Sequence, residues 1–76
     1  MDEFLRYVVG KLVEYPDEVG INHREEKGKT TYLLEINRGD IGRLIGKGGA
    51  TIKAIRDLLS TAAELQGQKV AVEILE

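Results

Sequence analysis

Gly42, Gly46, Gly48 and Gly49 place four of the chain's nine glycines within eight residues, with Lys47 among them. Glycine has no Cβ, so it takes positive φ and lets another molecule approach the backbone closely. Immediately after the cluster, Ile52, Ile55, Leu58, Leu59 and Ala62 recur at helical spacing. The glycine-rich turn therefore feeds a helix N-terminus, where free N–H groups and the positive end of the helix dipole favour an anion. Arg43 precedes Lys47, and Lys53 and Arg56 follow it. Backbone donors, open access and cationic side chains together point to phosphate.

The spacing excludes two familiar phosphate motifs. A P-loop needs four residues between its first glycine and a Gly-Lys-Ser/Thr triplet. Here three residues separate Gly42 from Gly46, and Gly48 stands where a hydroxyl should meet Mg²⁺. A dinucleotide fingerprint needs Gly-x-Gly-x-x-Gly between a strand and a helix, and neither spacing nor context fits. The chain has no cysteine and one histidine, His23, far from the cluster in sequence. Asp40 and Asp57 have capping or ion-pair roles to hand. The expectation is no enzyme, no metal and no cofactor.

At 76 residues the chain suits one small domain, spanning residues 1–76. A core of this size buries little more than ~60% of the unfolded surface and must be compact. No apolar run reaches the ~18 residues a membrane helix needs, and the Met1-Asp2-Glu3 start is acidic where a signal peptide is basic. A cytoplasmic protein is expected. Net charge is −2, which alone argues against a nucleic-acid partner. The distribution argues for one. Arg38, Arg43, Lys47, Lys53 and Arg56 against Asp40 give residues 38–56 a charge of +4, which leaves −6 on the remainder. A basic island on an acidic body confines an anionic polymer to one short site.

The elements that must position this island follow from periodicity. Phe4, Leu5, Val8, Val9, Leu12 and Val13 form one apolar stripe, predicting a helix over residues 2–15 that Pro16 ends. A weak strand over 19–26, a turn at Lys27-Gly28-Lys29 and a strong strand over 30–37 form a hairpin. Tyr32, Leu34 and Ile36 share one face of the second strand, which is expected at the centre. Asp40 is placed to N-cap a short helix over residues 41–45. A longer helix over 50–66 ends at Gly67 as a left-handed cap, and residues 69–75 form the last strand. The order is helix, strand, strand, helix, helix, strand. The helical crossover makes the second and third strands parallel. The fold class is α+β: a three-stranded mixed sheet with three helices packed on one face.

Ile45-Gly46-Lys47-Gly48-Gly49-Ala50-Thr51-Ile52-Lys53-Ala54-Ile55 resembles the signature of the KH domain, an Ile-Gly-x-x-Gly loop with Ile opening the next helix. The element order resembles the type II form. The short chain is similar to the small standalone bacterial KH proteins of the KhpA type. That resemblance implies a loop that clamps about four nucleotides of single-stranded RNA by their backbone. It implies phosphates at Lys47 and at the Gly48 and Gly49 N–H groups. It also implies an aliphatic groove for bases, to which Ile41, Ile45 and Ile52 correspond. The RNA-binding set expected is Ile41, Gly42, Arg43, Ile45, Gly46, Lys47, Gly48, Gly49, Thr51, Ile52, Lys53 and Arg56. The family further implies a homodimer, pairing with a larger multidomain KH-containing protein, and a role as RNA chaperone or post-transcriptional regulator.

Plainer readings stand beside each of these. Gly46 to Gly49 could be a bare helix–helix turn. Lys53 has Asp57 at i+4, and Arg56 has Ser60 or solvent. Thr51 could cap the second helix. Tyr7, Tyr15 and Tyr32 read as core-edge residues and His23 as a solvated strand residue. None of these aromatics falls in the motif, so a stacking platform is not expected. The alternative function is a protein-interaction module, with Leu58, Ala62 and Leu65 as its apolar edge and RNA secondary.

Overall fold

The computed structural model describes residues 1–75. Helix α1 covers Asp2–Leu12, with Asp2 and Glu3 in its first turn and Lys11 in its last, each suited to the helix dipole. It buries Leu5 and Val9 against the sheet. It ends three residues before the expected limit. Val13 is already extended at φ −96° and ψ 157°. The reason is a competing acceptor: the N–H groups of Glu14 and Tyr15 leave the helix path to meet the Asp40 carboxylate, each at 3.0 Å. Pro16 therefore does not break α1 but opens a single 3₁₀ turn, Pro16–Glu18.

Strands β1, Gly20–Glu26, and β2, Lys29–Glu35, pair antiparallel, with His23 opposite Tyr32. The two-residue turn between them holds Lys27 at φ 51° and Gly28 at φ 77°. Positive φ at both central residues gives the twist that hairpins favour. Strand β2 is central, as its composition suggests, and β3, Lys69–Ile74, lies parallel to it with Leu34 opposite Ile74. β2 ends two residues earlier than expected. Asn37 has turned out of the sheet, where its Oδ1 accepts from the Gly39 N–H at 2.8 Å and its Nδ2 donates to Glu18.

Helices α2, Ile41–Ile45, and α3, Ala50–Glu64, make the crossover. All three helices cover the face that carries Tyr32, Leu34 and Val72, and Leu5, Val9, Leu44, Ile55 and Leu59 fill the space between. α3 stops two residues early because its last turn closes on Gly67 at φ 70°. The Gln68 N–H reaches the Ala63 carbonyl at 2.9 Å and the Gly67 N–H reaches Glu64 at 3.0 Å. This paired closure satisfies carbonyls that the helix end would leave open. Of the three tyrosines read as core-edge residues, Tyr32 is buried in the core, whereas Tyr7 and Tyr15 are exposed, and the Lys11 ammonium lies 5.3 Å from the Tyr7 ring.

Candidate nucleic-acid interface

Helix α2 has five residues and would not persist alone. Leu44, fully buried, fastens it to the core. Asp40 fastens its start, although not as a cap. The carboxylate makes no bond to the N–H groups of α2. It is fully buried and accepts instead from Glu14 and Tyr15, tying the end of α1 to the beginning of α2. The sequence names a good capping residue here but carries no sign that a distant segment would claim it.

After α2 the chain turns through Gly46 at φ 79° and ψ 171°, backbone space that only glycine occupies readily. A Cβ on Gly46 would overlap the Thr51 hydroxyl and lie 2.7 Å from the Thr51 Cβ and 2.8 Å from its backbone nitrogen. Thr51 therefore packs beneath Gly46 and does not cap α3, whose cap is Gly49. Gly48 and Gly49 hold φ 63° and 80° with open space where a Cβ would point. Gly42 differs from all three: it is helical, and an added Cβ would meet nothing within 4 Å. Neither turn nor packing requires glycine there.

The Gly46 N–H bonds the Gly42 carbonyl at 2.9 Å, and the Gly49 N–H bonds the Gly46 carbonyl at 3.1 Å. The expectation that Gly49 offers its N–H to a phosphate is corrected by that internal bond. Among the described residues, the Lys47 and Gly48 N–H groups have no acceptor. They lie on the exposed tip of the Lys47–Gly49 turn, beside a lysine with no carboxylate within ion-pair distance among the described residues. Adjacent free donors next to a free ammonium are an arrangement that can accept an anion.

The other cations of the expected RNA-binding set are less free. Arg43 lies 3.6 Å from both Glu14 and Asp40, so part of its charge is already met. Lys53 donates to Asp57 at 2.8 Å, and this bond, with the attraction behind it, raises the pKa of the ammonium above its ordinary value. The pair is exposed, so solvent screens it. Arg56 does not turn to Ser60 or to solvent alone. Its Nε donates to the Val72 carbonyl on the outer edge of β3 at 3.1 Å.

That contact bridges a groove. β3 is an edge strand, and Arg56 and Ser60, at i and i+4 on α3, face it. A hollow of about 340 Å³ lies there, lined by Arg56, Ser60, Val70, Val72 and Glu73. Ile41 and Ile45 are half-buried and keep outward sides. Ile52 is only 7% exposed and belongs to the core, so little of it is left for a base. Ser60, Val70 and Glu73 were not foreseen as groove residues, since nothing in their spacing shows which strand edge α3 will flank. Among the described residues no group of His, Asp or Glu is placed to hold a metal ion, and no helix is long and apolar enough to cross a membrane.

Two parallel strands joined by helix, Gly-x-x-Gly turn and helix, with a helix and strand added in front, are the type II KH arrangement. The family model described as KhpA/KhpB, KH domain, matches residues 2–74. The chain is 46% identical to the RNA-binding protein KhpA of Chlamydia trachomatis serovar D over 76 residues, covering 100% of this chain and 97% of that one. It is 37% identical to the RNA-binding protein KhpA of Listeria monocytogenes serovar 1/2a over 76 residues, covering 100% of both. Among solved structures, the crystal structure of APE1850 is similar with a TM-score of 0.67 and 29% identity. The match covers 96% of this chain and 49% of that one, so this chain spans about half of APE1850. The chain belongs to the KhpA/KhpB KH-domain family.

Proposed function

We propose that this protein is a single KH module that binds single-stranded RNA without catalysis, as a cytoplasmic RNA chaperone or post-transcriptional regulator. The observation that carries the reading is the loop tip, where the Lys47 and Gly48 N–H groups and the Lys47 ammonium have no internal partners among the described residues. The name that the relatives carry, RNA-binding protein, supports it. Phosphates sit at Lys47 and Gly48. Gly42 gives the strand access to the backbone, and bases lie along Ile41, Ile45 and the outward edge of Ile52. Lys53 and Arg56 add field strength along α3. Three or four neutralised phosphates give a log–log salt slope of magnitude ~2–3 for a single strand.

The test is the double substitution Lys47→Asp with Gly48→Asp. Aspartate tolerates the left-handed conformation of Gly48, and both positions are exposed, so the fold is expected to hold. Binding to mixed single-stranded RNA should fall at least ~tenfold, the equivalent of one charge-assisted hydrogen bond. Unaltered binding would remove the loop from the account.

A second observation favours an additional role in self-association. Val8, Leu12, Ala54 and Leu58 line a hollow of about 380 Å³ between α1 and α3. Leu58 is 50% exposed, and Phe4, one helical turn before Val8 on α1, is 41% exposed. This face suits a second copy of the chain or the KH domain of a larger multidomain partner. It adjoins the loop through Ala50 and Thr51, so two copies would hold two short RNA sites close together and gain from linkage. Leu58→Asp should leave a monomer in sedimentation experiments. If the wild type is itself monomeric at high concentration, the face has another use.

A further inference from the structure

The groove beside β3 does not end at Arg56. A second hollow of about 470 Å³, lined by Lys29, Ser60, Glu64, Gln68, Lys69 and Val70, shares Ser60 and Val70 with the first. The two form one channel that runs beside α3 from Arg56 to Glu64, at the hairpin end of the sheet. Arg56 and Glu64 are eight residues apart on α3, so this channel is about 12 Å long at the helical rise.

Lys29 and Lys69 reach its far end from the sheet face away from the helices, which they share with Thr31, Ala71 and Glu73, and they stand directly opposite each other in the parallel register of β2 and β3. Like charges opposed across strands destabilise a sheet unless something neutralises them. Glu64 and Glu73 line the same hollows as the two lysines but form no ion pair with either. Glu26 is the register partner of Lys29 in the hairpin, but its carboxylate is taken by Arg24 at 2.6 Å. Neither lysine has a carboxylate within ion-pair distance, and both are exposed. A local rule broken without internal compensation marks a position shaped by an outside ligand. The middle of the channel has the opposite character. Ser60, Val70, Glu64 and Glu73 offer apolar surface and acceptors, which suit base amino groups and repel phosphate.

We propose that the Lys29–Lys69 pair is a second phosphate contact, placed so that a single strand gripped at Lys47 runs along β3 and is held again where it leaves the groove. This rests on the RNA reading of the loop. It makes the footprint longer than the loop clamp of about four nucleotides. The pair adds two cations that only a longer strand reaches.

The test compares a single-stranded RNA of four nucleotides with one of roughly twelve, titrated by NMR across a salt series. The proteins are the wild type, Lys29→Gln with Lys69→Gln, and Lys11→Gln as a charge control on α1. On the longer strand the double substitution should lower the magnitude of the salt slope by about 1.4, from two phosphates at ~0.7 each. The ratio of wild-type to variant affinity should then fall about sevenfold between 50 and 200 mM salt. The four-nucleotide strand should bind both proteins alike, and Lys11→Gln should change neither. An unchanged slope on the longer strand, an equal loss on both lengths, or an equal loss in Lys11→Gln would overturn the proposal. Failure of the loop reading shows separately, as short-strand binding that survives Lys47→Asp with Gly48→Asp.

Discussion

Gly46 and Gly48 sit two residues apart in one loop, yet replacing each with alanine should have different consequences. At Gly48 an alanine takes a left-handed conformation with open space around its methyl, a penalty of about 1–2 kcal/mol. At Gly46, φ 79° and ψ 171° lie in territory nearly exclusive to glycine, a strain of about 1–3 kcal/mol. The methyl would also stand 2.8 Å from the Thr51 backbone nitrogen. That atom belongs to α3 and cannot swing aside as a side chain can. Overpacking of this kind adds about 1–3 kcal/mol. Gly46→Ala should therefore be the less stable variant by about 2 kcal/mol, or roughly 8–16 °C in Tm for a domain of this size. Urea and thermal denaturation followed by circular dichroism give both numbers. Equal midpoints for the two variants would falsify the assignment of Gly46 as a packing glycine.

Asp40→Ala removes the acceptor of two backbone N–H groups. At about 1–3 kcal/mol for each group left unsatisfied, it should cost about 2–6 kcal/mol by denaturant titration, with Asp40→Asn between Asp40→Ala and the wild type. Gly42→Ala should raise stability by about 0.5–1 kcal/mol, because alanine is the better helix former, while weakening RNA binding in the same preparation. Burial first, and then the nearby Asp2 carboxylate, raise the pKa of the Tyr32 phenol above its ordinary value. The fold therefore favours the neutral phenol. Its contribution is complete below pH of about 10 and is lost as pH climbs through the raised folded-state value. A tyrosinate absorbance titration should show one phenol ionising late, and Tyr32→Phe should remove that step and its share of the alkaline decline in stability.

Element order was legible because each segment states its period plainly: the Leu5–Val9 stripe of α1, the alternation around Tyr32 and Leu34, the Ile52–Ile55–Leu59 stripe of α3. The glycine loop was legible because its residue types have few other uses. What escaped was settled by partners distant in the chain. α1 ends early because Asp40, 26 residues beyond Glu14, takes over its last N–H groups. Arg56 turns to Val72, 16 residues away, because α3 happens to flank that strand edge. Gly49 loses its N–H to the tight geometry of the loop itself. Local pattern names the elements, and the contacts between elements decide which polar groups stay free.

Those free groups are what the functional account depends on. Its most direct test is an amide NMR titration of the protein with mixed single-stranded RNA at low salt. The largest shifts should fall on the Lys47 and Gly48 amides, with smaller ones along Lys53 and Arg56 and little change on α1. Saturable binding that leaves Lys47 and Gly48 unmoved and shifts α1 instead would contradict the account.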